Sequence, residues 1–179
     1  MRILNLGCGS NPLPSTPKRE VVNVDMGNKG KDILNFNITK YPYPLPMAEY
    51  DEIYMFHTIE HIDEREHAAL LLELRRILKP DGRIVLSYPE FRLVAKNYID
   101  NVNNDRDFWK ATIYGRGLTK WDRHIALMDT EYFIKFVESC GLKATRWHAE
   151  KNAAYNTVIY LEKGEPTLTY EKLMGDEFH

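Results

Sequence analysis

Arg2-Ile-Leu-Asn-Leu-Gly-Cys-Gly9 is the stretch that decides the fold of this 179-residue chain. Its apolar positions, Ile3, Leu4 and Leu6, read as a buried strand running directly into a Gly-x-Gly turn, with Ser10-Asn11-Pro12 behind it. Glycine at the C-terminal tip of a strand lets the backbone approach a ligand closely, because no Cβ intervenes. Sixteen residues after Gly9, the apolar run Val21-Val22-Asn23-Val24 ends on Asp25. A carboxylate at the tip of a neighbouring parallel strand is positioned for the hydroxyls of a nucleotide ribose. Together the two tips predict a pocket for an adenosine-containing cofactor.

What is missing narrows the cofactor. A dinucleotide fingerprint, G-x-G-x-x-G, needs a third glycine opening a helix whose N-terminus holds the pyrophosphate. Here Gly7 and Gly9 are followed by Pro12-Leu-Pro-Ser-Thr-Pro17, and three prolines in six residues cannot build that helix. No G-x-x-x-x-G-K-[ST] occurs, so a P-loop is excluded as well. A ligand without phosphates suits the turn better than NAD or ATP.

Five segments in order, Leu4-Asn-Leu-Gly-Cys-Gly9, Val22-Asn-Val-Asp25, Tyr50-Asp-Glu-Ile-Tyr54, His57-Thr-Ile-Glu-His-Ile62 and Leu74-Arg-Arg-Ile-Leu-Lys-Pro-Asp-Gly-Arg-Ile-Val-Leu86, resemble the motifs of class I S-adenosylmethionine-dependent methyltransferases. The nearest likeness is to the group of small methyltransferases in which Gly-Cys-Gly is followed almost directly by the second strand. The resemblance implies an α/β, Rossmann-like fold, S-adenosylmethionine as cofactor and S-adenosylhomocysteine as product. It implies that Gly7 and Gly9 pass beneath the methionine part, that Asp25 accepts the ribose hydroxyls and that Met26 packs on the adenine face. Asp32-Ile33 resembles the family's adenine-edge contact, although Asp32 as a turn residue is an equal alternative. His57 would line the methionine end. Many relatives carry an acid where Asn5 stands; Asn5 can accept a hydrogen bond but cannot pair with the amino-acid ammonium as a charge.

Composition bounds the rest. The length suits one domain, able to bury roughly two thirds of its unfolded surface. With 28% charged residues and a formal net charge of −2, no global field draws in nucleic acid or anionic membrane. Two cysteines, Cys8 and Cys140, make no disulfide framework, and a reducing cytoplasm is the expected compartment. Neither a leader pattern nor an apolar run of about 18 residues is read, so secretion and membrane spanning are not expected. Cys8 inside the turn is read as a small packing residue rather than a nucleophile.

Along the chain, strands are predicted at Arg2–Leu6, Val21–Asp25, Lys31–Asn35, Tyr50–Met55 and Arg83–Tyr88. About eleven residues join Gly9 to Val21, so the usual first helix is reduced to a turn. Tyr41-Pro-Tyr-Pro-Leu-Pro46 reads as extended, either a rim over the site or a plain linker. Asp63 with Glu66 predicts a capping box for a helix carrying Leu70, Leu71, Leu74, Ile77 and Leu78, stopped at Lys79-Pro-Asp-Gly82. Phe91–Val102 predicts another helix. From Asn103 to Asp129 the periodicity fails, and this stretch reads as a substrate-side insertion within a domain spanning 1–163. Thr130 is read as the cap of a helix ending at Cys140 with Gly141 as its left-handed stop. Leu142–Ala149 and Thr157–Lys163 predict an antiparallel edge hairpin on a mostly parallel sheet with helices on both faces; 164–179 is a polar tail.

If the segment after the fourth strand makes a helical turn, His57, Glu60 and His61 share one face. Glu60 and His61 read equally as a structural hydrogen-bonded pair or as site residues, with His61 a candidate base. Some quinone-precursor O-methyltransferases of this superfamily carry an acid at position 57 and bind a divalent metal there; with histidine in its place, no metal is expected. His124 stands where close relatives carry an acceptor-side histidine, against the alternative of a surface-loop side chain. The function expected is methyl transfer to an O or N of an acceptor, a small molecule or sugar being favoured, with His61 or His124 as base. The alternative is a non-catalytic cofactor-binding partner subunit; a nicotinamide oxidoreductase is disfavoured by Pro12.

Overall fold

Ile3, Leu4 and Leu6 are completely buried in β1 (Arg2–Leu6), which has a parallel neighbour on each side and therefore reads as an apolar run broken only by Asn5. The computed structural model describes residues 1–119 and 121–165. After β1 come β2 (Glu20–Val24), β3 (Ile33–Leu34), β4 (Tyr50–Phe56), α1 (His67–Ile77), β5 (Leu78–Pro89), α2 (Phe91–Ile99), α3 (Arg106–Tyr114), α4 (Thr130–Ser139), β6 (Leu142–Glu150) and β7 (Ala153–Lys163). Short 3-10 turns lie at Ile59–His61, Glu64–Glu66 and Val102–Asn104. The strands form one sheet in the order β3-β2-β1-β4-β5-β7-β6. Pairings from β3 through β5 are parallel, and those of β5 with β7 and β7 with β6 are antiparallel.

This is the Rossmann-like, mostly parallel sheet with an antiparallel edge hairpin that the sequence predicts. The chain winds outward from β1 to β3 and then crosses back to β4 on the other side of β1. That reversal opens a crevice beyond the C-terminal tips of β1 and β4, where open α/β sheets bind ligands. Leu70, Leu71, Leu74 and Ile77 of α1 pack at zero exposure with Ile53, Met55, Ile84 and Leu86 of the sheet, the largest part of one continuous core. Among the described residues no helix is long and apolar enough to cross a membrane.

No helix lies between β1 and β2, and side chains hold the chain there instead. Asn23, buried in β2, clamps Leu13 from both sides: its Oδ1 accepts from Leu13 N and its Nδ2 donates to Leu13 O, both at 2.9 Å. Asn5 Nδ2 donates to the same Asn23 Oδ1 at 2.9 Å, and Val21 N donates to Ser15 Oγ at 2.9 Å. A helix normally satisfies its own backbone; here Asn23, braced by Asn5, does so for Leu13, and the Ser15 hydroxyl ties the segment to β2.

Several local expectations are corrected. Asp63 caps a 3-10 turn, accepting from Arg65 N and forking the Arg65 guanidinium, so Glu66 forms no capping box and α1 starts at His67. Lys79-Pro-Asp-Gly82 is a bulge within β5: the pairing jumps from Tyr50 with Leu78 to Glu52 with Arg83. The stretch predicted as aperiodic contains α3, capped by Asp105, whose Oδ1 accepts from Phe108 N at 2.9 Å. Asp129, not Thr130, caps α4; Thr130 is buried and its N–H and hydroxyl both donate to Glu90 Oε2. The Gly141 stop stands as predicted, at φ +72°. Tyr41–Pro46 is no rim: Tyr43 is buried, its N–H donates to Glu73 Oε1 at 2.7 Å, and Arg76 reaches the Tyr43 and Leu45 carbonyls. Residues 166–179, most of the predicted tail, lie outside the described residues.

Replacing Asn23 with alanine removes three hydrogen bonds at one buried point and leaves their partners unsatisfied. The expected loss is about 2–4 kcal/mol, read as a lower urea midpoint with an unchanged slope.

Candidate cofactor and acceptor site

The turn after β1 is stitched to β2 by its own backbone. Gly7 N and Cys8 N both donate to Val24 O, at 2.9 and 3.1 Å. Gly7 and Gly9 adopt φ of +68° and +50°, the left-handed region that favours glycine. The two glycines have different reasons to be there. A Cβ on Gly7 would overlap the Thr58 side chain, whereas one on Gly9 would meet nothing within 4 Å. Gly7 lets the exit of β4 pack against the turn; Gly9 keeps the space above it open.

Asp25 holds the neighbouring tip against Gly9. Its Oδ2 accepts from Gly9 N at 2.9 Å, and its Oδ1 accepts from Gly27 N and Asn28 N at 2.7 Å each. Asn28 Nδ2 closes the ring by donating to Gly9 O at 2.6 Å. A carboxylate offers about four acceptor sites, so three internal bonds leave room for about one ribose hydroxyl rather than two.

Beyond these tips lies a cleft of about 800 Å³, within the size range of cofactor and substrate sites. The Gly7–Gly9 turn, His57, Glu60 and His61 form one side; Phe108 and Thr112 of α3, His124, and Tyr155 and Asn156 of β7 form the other. Gly7, Gly9, His57, His61 and His124 are thus brought together. Asp25, Met26, Asp32 and Ile33 do not line this cleft. Asp25 borders it through Gly9, Met26 is half-buried in the following loop, Asp32 is exposed, and Ile33 sits half-buried in β3. Burial, reinforced by the Asp25 charge, raises the Cys8 thiol pKa above its ordinary value, which argues against a nucleophile.

The histidines form one connected group. His57, at the end of β4 in a left-handed conformation (φ +48°), has Nδ1 3.3 Å from Glu60 Oε1 and Nε2 3.6 Å from Glu150 Oε2. Contact with the Glu60 carboxylate outweighs burial and raises the His57 pKa, helped by Glu150. Glu60 is 1% exposed, and its approach to His57 falls short of hydrogen-bond geometry: both of its oxygens lack a hydrogen-bond partner among the described residues. Its backbone carbonyl accepts from Ile125 N and Ala126 N at 2.9 and 3.1 Å, and His61 Nδ1 bonds Arg123 O at 2.9 Å. These bonds dock residues 123–126 onto the 3-10 turn Ile59–His61. As a result the His61 and His124 rings meet edge to face, with centroids 4.8 Å apart. A carbonyl only accepts, so His61 Nδ1 carries a proton, and in the neutral ring the lone pair lies on Nε2. Burial lowers the His124 pKa, against the opposing charge of Glu60, so this ring is neutral near pH 7.

Apart from His124, the far wall was not read from the sequence. Asp105 as a cap and Gly115 as a stop were available signals for α3, which carries Phe108 and Thr112. Asn156 and Glu150 reach His57 only through β6–β7 pairing, a long-range relation that no local pattern announces.

A family model described as "Methyltransferase domain" matches residues 1–146, and the chain belongs to that family. Membership implies S-adenosylmethionine as the cofactor, and the open Gly9 tip and the size of the cleft fit it. None of the curated proteins matches the sequence significantly. Among solved structures, a SAM dependent methyltransferase from Archaeoglobus fulgidus is similar at 17% identity and TM-score 0.61, over 90% of this chain and 86% of that one. A TehB-like SAM-dependent methyltransferase from Corynebacterium glutamicum gives 14% and 0.60, over 90% and 79%. A S-adenosylmethionine-dependent methyltransferase from Clostridium acetobutylicum gives 10% and 0.63, over 92% and 84%. At such identities the likeness is one of fold.

In a histidine NMR titration, His57 is expected to titrate above about 6.5, the ordinary imidazole value, and Glu60→Gln is expected to lower its midpoint. Since the folded value is the raised one, the His57 contribution to stability is complete below about pH 6.5 and is lost as pH rises through the folded value.

Proposed function

We propose that this methyltransferase-family chain moves the methyl group of S-adenosylmethionine to an oxygen or nitrogen of a small-molecule or sugar acceptor. The observation that carries the reading is one cleft bordered by the Gly9–Asp25 pair and lined by His61 and His124. S-adenosylmethionine, when bound, supplies a methyl already activated by a sulfonium leaving group. Gly7 and Gly9 would lie beneath its methionine part and Asp25 would accept a ribose hydroxyl, with Met26, Asp32 and Ile33 toward the adenine. His57, whose pKa is raised by Glu60, suits the carboxylate of the methionine end.

His61 and His124 are the acceptor-side residues in this reading. The neutral His124 ring takes the acceptor proton, the freed lone pair bonds the methyl carbon, and the carbon–sulfur pair stays with sulfur. Holding acceptor, carbon and sulfur in line lowers the barrier by up to roughly 7–11 kcal/mol. The buried, unpaired cysteines fit the expected cytoplasmic setting.

A second reading, a cofactor-binding partner subunit, is favoured by the exposed apolar residues Tyr114, Leu118, Trp121, Ile125 and Leu127 on the insertion. Transfer of labelled methyl to a metabolite pool distinguishes the two: turnover supports the enzyme, and binding without turnover supports the subunit. Calorimetry with S-adenosylhomocysteine is expected to show binding that Asp25→Ala weakens by about 10–100-fold. In the active enzyme His124→Asn is expected to lower kcat by about 10²–10⁴-fold while leaving cofactor affinity intact.

A further inference from the structure

Glu60, His61 and His124 stand apart from the rest of the cleft in one respect. They each offer a ligand atom, and the three atoms lie within 4.8 Å of one another. Around a single ion with bonds of about 2.0–2.1 Å, tetrahedral donors are about 3.4 Å apart. Small side-chain rotations therefore close the set. Burying a carboxylate without hydrogen bonds is costly unless a cation compensates it, and Glu60 is 1% exposed with neither oxygen so bonded. The His57 imidazole lies 3.3 Å from Oε1, and Oε2 has no hydrogen-bond partner among the described residues.

The surroundings prepare the two imidazoles. His61 is oriented through Nδ1 by the Arg123 carbonyl at 2.9 Å, and the His124 ring packs edge to face against it. A ring nitrogen held by a carbonyl leaves the other nitrogen aimed and basic, the usual support of a metal-bound histidine. We propose that Glu60, His61 and His124 bind a divalent first-row transition ion such as zinc. Two nitrogens and one carboxylate suit zinc, cobalt or iron, whereas magnesium and calcium favour oxygen ligands throughout. The histidine at position 57 removes one carboxylate donor, but His124, brought in by the insertion, stands as the third donor beside Glu60 and His61.

The ion's chemical role rests on the function proposed above, but its binding does not. An acceptor hydroxyl ligated by the ion gives its proton to solvent at a lower pH than a free hydroxyl. Its lone pair then bonds the methyl carbon while sulfur keeps the carbon–sulfur pair. With the ion bound, the His124 lone pair is a ligand, so the ion replaces it as the means of activating the acceptor.

The test is calorimetry of the full chain with zinc chloride, together with the visible spectrum of cobalt(II) added in its place. One ion per chain is expected, with ligand-field bands from nitrogen and oxygen donors. Glu60→Gln, His61→Gln and His124→Asn should each weaken binding by about 100-fold, while His148→Asn leaves it unchanged. Long-range ¹H–¹⁵N spectra of the unmutated protein read the ligands without relying on any variant: zinc should shift the ring nitrogens of His61 and His124 but not of His148. Absence of binding, binding undiminished in folded variants, or zinc shifts at other histidines overturns the site. S-adenosylhomocysteine affinity, measured separately, keeps the two readings apart. If it binds and zinc does not, the ion site alone fails; if zinc binds and it does not, the cofactor reading alone fails.

Discussion

The N–H groups of Gly7 and Cys8 share the carbonyl of Val24, and the next one along, Gly9 N–H, is taken by the carboxylate of Asp25. Everything at the cofactor end depends on this joining of two parallel strand tips. It sets the direction in which the chain leaves β1, and it requires the left-handed conformations at positions 7 and 9. It also places a carboxylate beside an uncrowded stretch of backbone. The same bonds limit the site, because Asp25 is largely engaged in holding its own loop. A ligand must use the remaining acceptor capacity or displace a backbone contact, and displacement carries a cost of about 0.5–1.5 kcal/mol per bond.

The other half of the cleft is assembled by a different device. The turn Ile59–His61 is fixed from behind by buried His67, whose Nε2 lies 3.2 and 3.0 Å from the Ile59 and Ile62 carbonyls. It is fixed in front by residues 123–126, which bond the Glu60 carbonyl and the His61 ring. Glu60 is thus held by its backbone while its carboxylate is left without hydrogen bonds. A buried carboxylate so placed is costly without a counter-charge, and the nearest cationisable group is the His57 ring, 3.3 Å from Oε1.

What could be read from the sequence follows the range of the interaction. The strands β1, β2, β4 and β5 were legible from the apolar stretches that burial between neighbours imposes on them, and Gly141 because one residue at positive φ ends a helix. The mostly parallel sheet followed from strands alternating with helices and the edge hairpin from alternation in the last strands, whereas the strand order did not. Helix starts were less legible: Asp63, Asp105 and Asp129 all cap, but neighbouring Glu66 and Thr130 offered equally plausible side chains. The site divided in the same way. Gly7, Gly9, His57 and His61 are local to strand tips and could be named; His124 could be named but not placed. Glu150, Asn156, Phe108 and Thr112 reach the cleft only through sheet pairing and α3 packing, and nothing near them in the chain signals it. Asp25 was identified, yet its three internal bonds were not, because they belong to the loop's folded shape rather than to its composition.

The most direct test of the account is a crystal structure with S-adenosylhomocysteine bound. It should show the ligand over Gly9, a ribose hydroxyl on Asp25 and the sulfur end directed toward His57 and Glu60. A ligand bound elsewhere, with the space above Gly9 empty, would contradict the claim that the joined tips of β1 and β2 hold the cofactor.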